Sequence, residues 1–158
     1  MTMHIHSALT ESGWTAPALH PGLREISPIL KKSAIVSVLI VDDEALVRWS
    51  LAEMLTDEGY AVLQAGDGQA ALKAVAGAVG PIGVILLDYR LPDTNGLQLL
   101  GRMRALSPQT RVVLMTAYGT PEVAAEALRL GATCVVNKPI EMQDVGALVA
   151  RARGFAPA

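Results

Sequence analysis

The sequence predicts an α/β domain: a doubly wound, five-stranded parallel sheet with helices on both faces. Two observations carry this. From Val36 onward, five short aliphatic runs alternate with five longer segments of helical spacing. The runs are continuously apolar rather than alternating, the pattern of strands covered on both sides. Alternation of this kind builds a parallel sheet with right-handed crossovers.

The elements follow in order. "VSVLIV" (36–41) is a first strand, rich in β-branched residues. Residues 44–59 form a first helix, with Val47, Leu51, Met54 and Leu55 on one face and Gly59 where a terminating glycine belongs. "YAVLQA" (60–65) is a second strand, and 68–77 a second helix closed by Gly77. "IGVILLD" (82–88) is a third strand. Helix 95–106 follows, with Pro108 just past its end. "RVVLMTA" (111–117) is a fourth strand. Residues 120–131 form a fourth helix, with Thr120 as cap and Pro121 as first residue. "TCVVN" (133–137) is the fifth strand, and 141–154 the last helix.

Composition bounds the function. The chain has 158 residues, 51% of them hydrophobic, enough for one domain with a real core. Aromatics make up only 4%, so Ala, Val and Leu must fill that core. A net charge of -2 offers no basic footprint for nucleic acid. There is no apolar run of about 18 residues to span a membrane, and no secretory signal pattern. The single cysteine, Cys134, excludes an internal disulfide and a cysteine-based metal site. A reduced, cytoplasmic location is expected. Residues 1–35 carry Gly13, Pro17, Pro21, Gly22 and Pro28 without a sustained period, and read as a flexible extension. The three histidines, His4, His6 and His20, lie there; a metal site among them is the weaker reading. Residues 36–154 form the folded domain, and 155–158 a short tail.

In parallel sheets of this class, ligands bind beyond the carboxyl ends of the strands. Strand one ends in Asp42–Asp43, with Glu44 beyond; strand three ends in Asp88; strand four in Thr116–Ala117; strand five in Asn137–Lys138–Pro139. An aspartate at a strand end is often only a turn former or cap. Several such groups at different strand ends are far more specific than any one of them. If strands one and three are neighbours, their carboxylates approach, and like charges that close recruit a cation or a proton. All-oxygen ligands favour Mg²⁺, or Mn²⁺ in its place. Lys138 adds a point charge on a long stem, and Thr116 a hydrogen-bond donor. Carboxylate, metal, ammonium and hydroxyl around one point suit a transferring phosphoryl group. "AGDG" (65–68) is no phosphate loop, so a nucleotide-binding enzyme is disfavoured.

The same residues carry a family resemblance. "VLIVDDE" (38–44), "LLDYRLPDTNGLQLL" (86–100), "MTAYGT" (115–120) and "GATCVVNKP" (131–139) resemble the receiver domains of two-component response regulators. The stretches "VRWSL" and "TAYGTPEVAAEALRLGA" are most similar to receivers that precede sigma-54-activating ATPase domains. The resemblance implies a flavodoxin-like strand order 2-1-3-4-5. It implies Asp88 as phosphoacceptor, with Asp42, Asp43, Asp88 and the backbone carbonyl of Arg90 as metal ligands. Asp43 would be the more direct ligand of the acidic pair. Lys138 would bind the phosphoryl group, its bond to Pro139 would be cis, and Thr116 would hydrogen-bond a phosphoryl oxygen. Arg90 and Tyr118 flank the position where the family tunes hydrolysis.

One departure stands out. The family's usual Tyr or Phe three residues before the lysine is Val135 here, a stiff side chain that cannot swing inward. Cys134 replaces a common acidic residue beside it. The resemblance therefore implies intact phosphoryl capture and a changed readout on helix 4, strand 5 and helix 5. Trp49 falls about 200° from Leu51 on an ideal helix and should leave the buried stripe. It is a partly covered surface residue or an anchor for a kinase, which receivers dock through their first helix.

The leading expectation is a stand-alone receiver. It would take a phosphoryl group from a histidine kinase or phosphotransfer protein and act on an unknown downstream protein; a homodimer is compatible. The alternatives are a receiver fragment of a longer sigma-54-dependent regulator, and a receiver-like interaction module that is not phosphorylated.

Overall fold

The computed structural model describes residues 35–154. The expectations for residues 1–34, including His4, His6 and His20, and for 155–158 lie outside the described residues. The elements are β1 (Ser37–Val41), α1 (Ala45–Asp57), β2 (Ala61–Ala65), α2 (Gly68–Ala76), β3 (Ile82–Asp88), α3 (Gly96–Leu106), β4 (Arg111–Thr116), α4 (Pro121–Arg129), β5 (Cys134–Asn137) and α5 (Met142–Gly154). All five strands pair in parallel, in the order β2-β1-β3-β4-β5.

The unbroken apolar runs are explained by two core layers. Successive side chains of a strand point to opposite faces. Leu39, Val41, Ile85, Leu87, Val112 and Leu114 face the layer completed by Ala71, Leu99, Leu100, Met103 and Ala127 of α2, α3 and α4. Val38, Ile40, Val84, Leu86, Val113 and Met115 face the layer of Leu51, Ala52 and Leu55 on α1 and Val145, Val149 and Ala152 on α5. With few aromatics, the core is built from Leu, Val, Ile, Met and Ala. The edge strand β2 differs: Ala61, Leu63 and Gln64 are exposed, and among the described residues no strand pairs with its outer side.

Element ends shift by one or two residues from the periodic pattern, and the caps say why. Asn95 and Thr120 stand just outside their helices, their side chains accepting from Gln98 N (2.9 Å) and Val123 N (3.2 Å). Gly59 (φ +97°) and Gly131 (φ +100°) turn the chain out of α1 and α4 in the left-handed region that glycine tolerates. Gly77 closes α2 at φ -93° and needs no such freedom.

Because every strand runs the same way, the carboxyl ends of β1, β3, β4 and β5 emerge along one rim. Gly96 lets α3 begin hard against that rim. A Cβ there would stand 2.7 Å from Tyr89 Cα and 2.9 Å from the Asp88 carbonyl oxygen.

Candidate functional site

The rim gathers the polar residues expected from the strand ends. Asp42, Asp88 and Thr116 are buried, Lys138 is half-buried, and Asp43 is exposed beside them. The neighbours of β1 in the sheet are β2 and β3, so Asp42 and Asp88 meet as the implied strand order requires. One carboxylate oxygen from each of Asp42, Asp43 and Asp88 lies within 4.8 Å of the others.

Lys138 Nζ donates to Asp42 Oδ2 at 2.6 Å and to Asp88 Oδ2 at 3.1 Å, spanning two strand ends. The other oxygens are engaged by the main chain: Glu44 N donates to Asp42 Oδ1 (2.9 Å) and Arg90 N to Asp88 Oδ1 (3.2 Å). Lys138 is aimed by its own backbone, whose N–H donates to the Thr116 carbonyl (2.8 Å), and the following bond to Pro139 is cis. Thr116 Oγ1 accepts from Tyr118 N at 3.2 Å.

The electrostatics follow from three carboxylates facing one ammonium. Burial is the main force pushing the Asp88 carboxyl above its usual range; the Asp42 charge adds to it, and Lys138 opposes it. Burial pulls the Lys138 ammonium down, but its hydrogen bond to Asp42 and the charges of Asp42 and Asp88 outweigh that and raise it. Lys138 is therefore firmly cationic at neutral pH, and the cluster keeps an excess of negative charge. An all-oxygen, carboxylate-rich set of this kind fits a hard divalent cation such as Mg²⁺ or Mn²⁺.

A cleft of about 330 Å³ opens over the cluster, with Asp43, Glu44, Asp88, Arg90, Ala117 and Lys138 among its walls. At its rim the Arg90 guanidinium lies 5.5 Å from the Tyr118 ring centroid, and Tyr118 is 74% exposed. Val135 packs into the α2–α4 layer, while Cys134 joins the α1–α5 layer. Trp49 is 56% exposed, as its helical angle predicts. Sequence reasoning missed Arg48, whose guanidinium donates to the Asp42 carbonyl at 2.6 Å. Its position six residues after Asp42, at the first turn of α1, was the available signal. The close approach beside Gly66 was not visible in the sequence.

The family model of the response regulator receiver domain matches residues 38–150, a span that holds Asp42, Asp43, Asp88, Thr116 and Lys138 and reaches into all five strands. The chain belongs to the response regulator receiver domain family. It is 40% identical over 120 residues to the regulatory protein AtoC of Escherichia coli K12, covering 76% of this chain and 26% of AtoC. It is 35% identical to sporulation initiation phosphotransferase F of Bacillus subtilis, covering 68% of this chain and 86% of that protein. Among solved structures, a CheY-like receiver domain protein from Methanospirillum hungatei superposes with a TM-score of 0.72 at 26% identity, covering 77% of this chain and 95% of that one. A response regulator from Burkholderia pseudomallei, solved with a phosphorylated aspartic acid and a calcium ion, gives 0.64 at 27% identity, covering 73% and 72%. The chain thus spans about a quarter of AtoC but most of the sporulation protein. No described helix of this receiver is long and apolar enough to cross a membrane.

Mg²⁺ at about a hundred times its Kd should raise the unfolding free energy by about 2.7 kcal/mol, read as a higher Tm. Asp43→Asn should remove most of that rise at the same Mg²⁺ concentration. A wild-type Tm that ignores millimolar Mg²⁺ and Mn²⁺ would refute metal binding at this cluster.

Proposed function

We propose that this receiver is a phosphorylation switch with Asp88 as its phosphoacceptor. The observation that carries the reading is Lys138 Nζ, held between Asp42 and the Asp88 oxygen that would take the phosphoryl group. An Asp88 carboxylate oxygen attacks phosphorus in line with the N–P bond of a phosphohistidine. The O–P bond forms, the N–P bond breaks, and the departing imidazole keeps the electron pair and takes a proton from solvent. Asp42, Asp43, Asp88 and the Arg90 carbonyl would hold Mg²⁺, which when bound neutralises charge on the phosphoryl oxygens. Lys138 transfers its hydrogen bond from Asp88 Oδ2 to a phosphoryl oxygen. The Thr116 hydroxyl accepts from Tyr118 N and so keeps its own hydrogen to donate.

The donor is a histidine kinase or phosphotransfer protein. Phosphorylation adds about -1.5 to -2 charge and shifts the domain toward a state that binds a downstream protein. The leading reading is a receiver that acts by itself, supported by its coverage of the sporulation phosphotransferase. A receiver segment of a longer regulator is the second reading, favoured by the higher identity to AtoC. Trp49 is the proposed anchor for the donor; it sits on α1, the helix that also borders an apolar groove of about 330 Å³ beside Lys138. Tyr118, stacked with Arg90 at the cleft mouth, would shield the acyl phosphate from water.

Acetyl phosphate with Mg²⁺ should add one phosphoryl group to the wild type by intact mass and none to Asp88→Asn. Equal labelling of the two proteins would sink the reading, and would favour a receiver-like module that is not phosphorylated at this site. Tyr118→Ala should shorten the lifetime of the phosphorylated form; an unchanged lifetime removes Tyr118 from hydrolysis control. Trp49→Ala should slow transfer from the cognate kinase by about tenfold, the equivalent of ~1.4 kcal/mol, and leave labelling by acetyl phosphate unchanged. A kinase rate equal to wild type excludes Trp49 as the anchor.

A further inference from the structure

The end of β3 and the loop after it form one wall of the cleft: Asp88, Tyr89, Arg90, Leu91 and Pro92 all line it. At its base this loop is well closed. Gly96 N donates to the Tyr89 carbonyl at 2.6 Å, and Arg90 pairs with Asn95 in an antiparallel bridge. Its tip, residues 91–94, belongs to no helix or strand. There the Asp93 carboxylate accepts from Gly68 N (2.8 Å) and Gln69 N (3.0 Å), one oxygen to each amide.

These are the first two amides of α2, a helix that already has its own cap. Asp67 precedes α2 and accepts from Ala70 N at 2.7 Å. The first amides of a helix have no partner within it; here Gly68 is buried beneath the tip and Gln69 is exposed to water. The loop tip has less to fall back on. Apart from the Asp93 contacts, its polar bonds among the described residues are two from the Thr94 hydroxyl, both at 3.4 Å. The amide of Gly68 holds the Asp93 carboxyl below its usual range, so it is ionised and able to accept twice at neutral pH. Gly68 also makes the approach possible. A Cβ there would stand 2.5 Å from Thr94 Cγ2 and 3.2 Å from Asp93 Oδ1.

We propose that Asp93 is a positioning residue for the receiver site: by clamping the loop tip onto the start of α2, it fixes the cleft wall that carries the Arg90 carbonyl. This rests on the reading of Asp42, Asp43, Asp88 and the Arg90 carbonyl as the metal set. Asp93 touches neither metal nor phosphoryl group. Its effect passes through the backbone of residues 90–92, three to one positions away.

The test uses the full chain with three variants: Asp93→Ala removes the clamp, Asp93→Asn keeps one acceptor, and Gly68→Ala pushes the tip away. Mg²⁺ affinity is measured by calorimetry, stability by urea unfolding, and loop order by amide hydrogen exchange at Arg90. Asp93→Ala should weaken Mg²⁺ about tenfold, the lower end of what outer-shell partners of metal ligands contribute. It should also speed exchange at Arg90, with Leu39 in β1 unchanged. Gly68→Ala should act in the same direction, and Asp93→Asn should recover part of both losses. A role confined to stabilising α2 would lower the urea midpoint while Kd and Arg90 exchange stay at wild-type values; that result overturns the proposal. If Asp93→Ala does not fold, the Asn variant decides by the same two readouts. A wild type that binds no Mg²⁺ instead overturns the metal reading, and unchanged Arg90 exchange in Asp93→Asn and Gly68→Ala then overturns the clamp as well.

Discussion

Two buried carboxylates share a single ammonium, and the rest of the structure is arranged to keep them there. Asp42 and Asp88 come from adjacent parallel strands and end on the same rim, so the sheet forces them together. Left alone, such a pair would protonate or separate. Lys138, delivered by β5 from two strands beyond β3, compensates part of the charge but not all of it. The scaffold resists relaxation because β1, β3 and β4 are packed on both faces, with their central side chains fully buried. A residual negative charge held in a rigid cleft is costly to the free protein, and it is the property that suits the cleft to a divalent cation.

The same rigidity limits how the site can speak to the surface. Thr116 is buried at the end of β4, and its hydroxyl meets the amide of Tyr118, which lies out at the cleft mouth with Arg90. One strand over, Val135 is half-buried in the α2–α4 layer, where the family usually has an aromatic side chain. A β-branched residue has essentially one comfortable χ1 and little reach. Asp42, Asp43, Asp88, Thr116 and Lys138 are gathered at one rim, while Val135 has neither the size nor the reach of an aromatic side chain. Tyr118 and Arg90 are exposed at the cleft mouth, whereas Val135 lies in the α2–α4 layer.

Much of the fold was legible because its periods are physical. A strand buried on both faces must be apolar along its middle, and β1, β3 and β4 are apolar between their ends. The helix faces of Leu51 and Leu55, the exposure of Trp49 and the Thr120–Pro121 start of α4 all follow from the 3.6-residue repeat and from local capping. The site was legible to the extent that strand ends are chemically marked: Asp42, Asp43, Asp88, Thr116 and Lys138 each stand at one. Arg48 was marked only by its place six residues after Asp42, and Asp93 was not legible. Asp93 reaches Gly68 across 25 positions, and nothing in the loop's own composition distinguishes a clamp from an ordinary turn aspartate.

By itself, then, the sequence determined the alternation of elements, the two-sided core and the identity of the groups at the strand ends, because those depend on short-range periods and caps. The order of the strands reached the sequence reading only through resemblance. Tertiary structure decided which ends are neighbours, that Lys138 lies 2.6 Å from Asp42 and 3.1 Å from Asp88, and that a loop tip is tied to a helix start. Distances between residues far apart in the chain are set by how layers pack, and no local pattern encodes them.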